Sequence, residues 1–355
     1  MIYVYKIVTI HMRKLDYFQS FHQRKMTAKN SLLPPMDLHE EEVLTQECKS
    51  LISSLPKEKG WISYYQYKYE GFWYSPTRLQ QVITLQKHFL ARDSDIILVT
   101  YPKSGTIWLK AIMFTLVNRK KYVIKENHPL FSKNPHELIP CFEFDLYLHD
   151  QIPDPSSIPS PRIFATHLPY FSLPKSVHNS ASKLVYLCRN PKDTFVSLWH
   201  FINKLRVEKM GSCSLDEAFD MFYKGVSPYG PFWDHILDYW NESKKISNRI
   251  LFLTYENMKE ESSVHIKRLA EFLGCPFSAE EEESGMVEDI LKLCSFNNLS
   301  NLEIYKTGKL IYGQESKVYF RRGEIGDWKK FLSPEMVKKL DQITEHKLSG
   351  FGLKI

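Results

Sequence analysis

No stretch of the 355 residues is apolar for long enough to cross a bilayer, so the sequence predicts no membrane partner. Cysteine is sparse and scattered. Cys48, Cys141, Cys188, Cys213, Cys275 and Cys294 include no Cys-x-x-Cys pair, which argues against a zinc site and a disulfide frame. They read as buried thiols in a reducing compartment, and the expectation is a cytoplasmic protein without a metal. The net charge of +6 is too weak and too dispersed for a nucleic-acid partner, though it suits a small anion. The Gly-x-x-x-x-Gly-Lys-Ser/Thr pattern of nucleoside-triphosphate loops is also missing.

What is present is organised around Tyr101-Pro102-Lys103-Ser104-Gly105-Thr106-Ile107-Trp108. Before it, residues 95–100 form an unbroken run rich in β-branched side chains, the pattern of a strand buried on both faces. After it, residues 108–117 are long and apolar enough for a core helix. A strand, tight turn and helix leave the helix's first N–H groups unpaired at the positive end of its dipole. Gly105 permits close approach, Lys103 adds a full charge, and Ser104 and Thr106 add hydroxyl donors. The turn is an anion cradle, with an incidental lysine as the bland alternative.

A short strand is expected near residues 162–167 and two more buried strands near 183–188 and 249–254, with helices after residues 191, 231, 262 and 335. The alternation predicts a single α/β domain, a central parallel sheet flanked by helices, with its cleft at the strands' C-terminal ends. His167, Arg189 and Tyr255 stand at those ends. A lone histidine is more often structural than catalytic. Arg189 can equally pair with Asp193, and Ser197, two turns into the following helix, can simply be buried. Ser214-Leu215-Asp216-Glu217 reads as a capping box. Arg321-Arg322-Gly323 offers planar donors and a free backbone approach, which suits a phosphate, although paired arginines are commonly solvated surface.

Lys-Ser-Gly-Thr-x-Trp after a buried strand resembles the 5′-phosphosulfate loop of the cytosolic sulfotransferases, and the match runs from about Gly60 to Leu353. Ala165-Thr166-His167-Leu168-Pro169-Tyr170 and Leu187-Cys188-Arg189-Asn190-Pro191-Lys192-Asp193 look like the plant branch, which includes flavonol sulfotransferases. The resemblance implies a P-loop-like turn and a co-substrate, 3′-phosphoadenosine 5′-phosphosulfate (PAPS). Lys103, Ser104, Gly105, Thr106, Ile107 and Trp108 would then cradle its 5′ end. Arg189, Ser197, Arg321, Arg322 and Gly323 would hold its 3′-phosphate, with Tyr255 near the nucleotide and Ser295-Phe296 at the adenine. His167 would be the catalytic base, assisted by Lys103. One departure stands out: many animal relatives carry a lysine where Ala165 stands, which shifts the burden of charge to Lys103.

The implied partner is a small hydroxylated acceptor, a flavonol-like phenol before a brassinosteroid, hydroxyjasmonate or desulfoglucosinolate. The aromatic stretch from Gly60 to Tyr74, Phe142, Phe144 and Tyr147 in the proline-rich segment 125–161, and Tyr229 with Phe232, are candidates for its wall. Residues 1–35 are expected to be a disordered extension, and residues 36–355 the domain, with its core over 93–350. The animal dimer motif is not recognisable after Trp328, so a monomer is expected. A nucleoside-phosphate kinase and a non-catalytic nucleotide-binding module are the rival readings.

Overall fold

The computed structural model describes residues 44–147, 158–206, 210–308 and 315–355. The expected extension over residues 1–35 lies outside the described residues. The first helix, α1 (Gln46–Ile52), starts at Thr45, whose hydroxyl accepts from Cys48 N at 3.2 Å. The aromatic stretch that follows Gly60 is a sheet. Strands β1 (Lys57–Lys59), β2 (Tyr65–Tyr69) and β3 (Phe72–Tyr74) pair antiparallel in that order. Trp61 Nε1 ties this sheet down by donating to Val226 O at 2.7 Å. Tyr229 and Gly230 extend β3 by one rung, with Tyr229 N donating to Trp73 O at 2.9 Å and Trp73 N to Gly230 O at 3.0 Å. Helix α2 (Pro76–His88) leads into the main sheet.

That sheet contains β4 (Ile96–Thr100), β5 (Ile163–Thr166), β6 (Lys183–Cys188) and β7 (Ile250–Thr254). All are parallel, in the order β5-β4-β6-β7. After β4 the chain adds β5 on one side and then β6 on the other. The loops following these strands therefore diverge, leaving a crevice at their C-terminal ends. Alternate residues serve opposite faces. Ile97, Val99, Phe164, Leu184 and Tyr186 pack with α2, α5 (Pro191–Leu205), α7 (Phe232–Lys245) and α12 (Pro334–Leu348). Ile96, Leu98, Ala165, Val185 and Leu251 pack with α3 (Thr106–Asn118), α9 (Ser262–Leu273) and α10 (Met286–Leu293).

Shorter helices among the described residues include α4 (Pro135–Leu138), α6 (Leu215–Tyr223), α8 (Tyr255–Glu260) and α11 (Phe296–Asn301). At α6 only half of the expected capping box forms. Ser214 Oγ accepts from Glu217 N at 3.2 Å, but the Glu217 carboxylate is drawn to Lys59 instead of returning to the cap.

The end of the sheet away from the crevice is held by a buried ion pair. Arg162 Nε donates to Asp95 Oδ1 at 2.7 Å, and both side chains are almost fully buried. Asp95 Oδ2 also accepts from Arg92 N at 2.8 Å. Removing one partner strands the other charge without solvent, which costs about 3–5 kcal/mol. Asp95→Ala is therefore expected to lower unfolding stability by that amount in urea titrations. Ligand affinity of the folded fraction should stay unchanged, because the crevice lies at the opposite end of the sheet.

Candidate active site

At the turn after β4 the backbone of Lys103 takes φ +70°, a left-handed conformation rare for a side-chain-bearing residue. Gly105, at φ +111°, opens α3; a Cβ there would lie 2.9 Å from the ring of Tyr255. Leu109 N is the first to bond back into the helix, to Gly105 O at 3.1 Å, so the N–H groups of Thr106, Ile107 and Trp108 have no partner within it. Ser104 Oγ is buried with no hydrogen-bond partner. The Lys103 ammonium lies 4.0 Å from the Phe201 ring centre. Burial first, then Arg189, Arg321 and Lys204, lower its pKa to about 7. A lysine so destabilised is poised to receive a negative group.

His167 follows β5 directly. Its Nδ1 lies 2.7 Å from Thr100 O, a carbonyl that can only accept, so Nδ1 carries the proton and Nε2 presents its lone pair. Thr100 Oγ1 lies 2.7 Å from Thr106 Oγ1, which links the end of β4, the first turn of α3 and the imidazole. Two further side chains fix the residue. Glu143 Oε1 accepts from His167 N at 2.7 Å, and its Oε2 accepts from Thr166 Oγ1 at 2.8 Å. His235 Nε2 donates to His167 O at 2.9 Å. Burial drives the His167 pKa down to about 3, leaving the ring neutral across ordinary pH.

Arg189, at the end of β6, donates through Nη2 to Glu324 O at 2.6 Å and through Nη1 to Lys103 O at 3.5 Å. Its guanidinium covers the Tyr255 ring at 4.5 Å. Tyr255, following β7, donates to Gly323 O at 2.8 Å. A Cβ on Gly323 (φ +65°) would lie 2.5 Å from Phe296. The C-terminal loop is held in place by Asp193 on α5, which accepts from Gly326 N at 2.7 Å and Trp328 N at 3.1 Å. Arg321 pairs with Asp327, while its Nε, like Arg189 Nε, is buried and unpartnered. Arg322 is more exposed, 3.8 Å from Glu324 and 3.7 Å from Asp327. Ser197 is buried on α5. Ser295 caps α11, accepting from Asn298 N at 3.2 Å, so its hydroxyl has a structural task beside Phe296.

On the other side of His167 the aromatic candidates separate. Phe144 meets the imidazole edge-on at 5.9 Å, and Tyr229 lies 5.6 Å away with its hydroxyl buried and unpartnered. Phe142, Tyr147 and Phe232 are core residues; Phe142 packs on Phe89 and Phe164, and Phe232 on Tyr101. Tyr74 backs Tyr229 at 5.7 Å. Glu143, His235 and Asp193 escape a sequence reading. Asp193 stands out there only as a partner for Arg189, which it approaches no closer than 3.9 Å. Its principal partners lie 133 and 135 residues away.

Comparison with known proteins gives these features a family. The sulfotransferase-domain family model matches residues 93–352. Cytosolic sulfotransferase 15 of Arabidopsis thaliana is 44% identical over 339 residues, covering 95% of this chain and 94% of that protein. Cytosolic sulfotransferase 12 of the same plant is 51% identical over 316 residues, covering 88% and 95%. Among solved structures, an Arabidopsis thaliana sulphotransferase superposes with a TM-score of 0.71 at 44% identity, covering 89% of this chain and 97% of that one. Mouse sulfotransferase SULT7A1, complexed with PAP (adenosine 3′,5′-bisphosphate), superposes at 0.62 with 26% identity, covering 81% and 95%.

The fold and the site thus define a sulfotransferase. Within that class the chain belongs to the plant cytosolic sulfotransferase family, whose reaction is PAPS-dependent; the kinase and the non-catalytic module are set aside. Among the described residues, no helix is long and apolar enough to cross a membrane.

The depressed Lys103 pKa makes a calorimetric prediction. At about pH 8 the free lysine is largely neutral, and a bound anion raises its pKa, so binding draws in a proton. Binding of adenosine 3′,5′-bisphosphate should then show an enthalpy that varies with the ionisation enthalpy of the buffer, in the direction of proton uptake. In Lys103→Met that dependence should vanish.

Proposed function

We propose that the protein transfers the sulfuryl group of PAPS to a hydroxyl of a small phenolic acceptor, of flavonol type, with His167 as general base. The observation that carries this reading is the tautomer of His167. Thr100 O occupies Nδ1–H, so the ring can act only through Nε2, as a base requires. Phe144 and Tyr229 border the imidazole with aromatic surface suited to a flat acceptor.

The donor side of the reading rests on unsatisfied groups. Ser104 Oγ and the first-turn N–H groups of Thr106, Ile107 and Trp108 suit the 5′ end. Arg189 and Arg321, each with an unpartnered buried Nε, suit the 3′-phosphate together with Ser197, Arg322 and the backbone at Gly323. Tyr255 ties the two parts through Gly105 and Gly323.

His167 Nε2 accepts the acceptor's hydroxyl proton as the oxygen–sulfur bond forms. The bond from sulfur to the bridging oxygen breaks, and its electron pair stays on the leaving phosphate. Lys103 and the N-terminus of α3 stabilise that growing charge. In this reading residues 36–355 form the catalytic domain, acting as a cytoplasmic monomer.

His167→Ala should lower kcat about 10²- to 10⁴-fold, the usual range for a positioned base. Affinity for adenosine 3′,5′-bisphosphate should hold within about threefold. The assay is transfer of labelled sulfate to a panel of flavonols, brassinosteroids, hydroxyjasmonate and desulfoglucosinolates. Near-native turnover by the variant would overturn the assignment of the base, and turnover confined to the non-phenolic members would overturn the acceptor class.

A further inference from the structure

Ala165 leaves the sheet without a cation at the position two residues before His167, yet a lysine approaches from another element. Lys110, on the second turn of α3, is fully buried. Its apolar neighbours Leu109, Ile112, Met113 and Ile139 share one cluster with Ala165, so the small side chain of Ala165 lies in the layer that α3 covers. Lys110 Nζ donates to Ile139 O at 2.9 Å and lies 3.0 Å from His136 Nδ1.

An ammonium donates and cannot accept, so His136 Nδ1 is the acceptor and the ring proton sits on Nε2. That tautomer is the reverse of His167. His136 Nε2 is buried and has no hydrogen-bond partner. With Nδ1 turned to α3, Nε2 faces away from that helix. The ring lies 5.0 Å from Tyr319, whose ring in turn lies 5.6 Å from the Lys103 ammonium. Burial depresses the His136 pKa well below the usual range, followed by Lys110, His167 and Lys103 in that order. The ring is therefore neutral, and Tyr319 alone separates it from the Lys103 ammonium in this chain of contacts. The segment is held firmly: Asn134 and Glu137 form a complete capping box around α4, with His136 N donating to Asn134 Oδ1 at 3.0 Å.

We infer that His136, oriented by Lys110, is a further catalytic residue whose Nε2–H donates a hydrogen bond to a non-bridging sulfuryl oxygen during transfer. No proton changes hands in this contact. The bond made and the bond broken are those of the transfer itself, and His136 stabilises charge on the oxygens of the group in flight. Lys110 is the positioning residue; it restores through the imidazole the positive influence that Ala165 cannot supply. The inference rests on the sulfuryl-transfer reading above.

The test compares His136→Leu, His136→Asn and His136→Gln with His167→Ala in the full chain. Gln can place an amide N–H near the Nε2 position; Leu and Asn cannot. His136→Leu and His136→Asn should lower kcat about 10²-fold, as loss of one such donor typically does, with acceptor KM changed less than about threefold. His136→Gln should recover at least about a tenth of native turnover. Adenosine 3′,5′-bisphosphate, which lacks the sulfuryl group, should bind all three variants as it binds the native protein, which also reports that they fold. Independently of activity, long-range ¹H–¹⁵N spectra should show the Nε2-protonated tautomer at His136 in the native protein and its loss in Lys110→Met.

Native kcat in both His136→Leu and His136→Asn, an effect on acceptor KM alone, or the Nδ1-protonated tautomer would overturn the inference. If those two turn over normally while His167→Ala is inactive, only the role of His136 fails. If His167→Ala is also active, the reading of the whole site fails.

Discussion

The structure depends on positive charge gathered at one edge of the sheet with only part of it cancelled. Lys103, Arg189 and Arg321 come from three distant segments, and the two arginines lower the pKa of the lysine after burial has done so. Asp327 pairs with Arg321, but the carboxylate of Asp193 beside Arg189 is otherwise engaged. Asp193 spends both oxygens on the backbone N–H groups of Gly326 and Trp328, so it locates the C-terminal loop rather than neutralising the guanidinium of Arg189. The unmade hydrogen bonds at Ser104, Arg189 and Arg321 belong to the same region. Each such group costs about 1–3 kcal/mol when buried unpaired, an expense that an anionic ligand offsets.

The sheet explains why these groups meet. Parallel strands deliver every following residue to the same edge, and the switch of direction at β4 separates the loops enough to admit a ligand. Lys103 follows β4, His167 follows β5, Arg189 follows β6 and Tyr255 follows β7. The backbone then refines their positions. Thr100 O sets the His167 tautomer, Glu143 and His235 fix its main chain, and Tyr255 fills the space left by the absent side chain of Gly105.

Much of this was legible in the sequence, for a physical reason. A strand buried on both faces is a continuous apolar run, and residues at its end are identified by order alone. What stayed hidden depends on tertiary partners. The strands β1–β3 are too short to show an alternation, and their aromatic residues read equally as a pocket wall. Phe142, Tyr147 and Phe232 cannot be told from Phe144 and Tyr229 by composition; only the fold shows which rings reach the imidazole. Glu217 left its capping box for Lys59, a residue 158 positions away. Lys110, read as part of a core helix, gave no signal of its tie to His136.

The central claim is that this edge grips a nucleotide charged at both ends. The most direct measurement is calorimetric affinity for adenosine 3′,5′-bisphosphate beside adenosine 5′-phosphate and adenosine 3′-phosphate at one ionic strength. Two separate charge-assisted clusters predict that the bisphosphate binds at least about tenfold more tightly than either monophosphate, since each hydrogen bond to a charged group contributes about 1.5–3 kcal/mol. Equal affinity for the bisphosphate and one of the monophosphates would contradict the account, because one of the two clusters would then hold nothing.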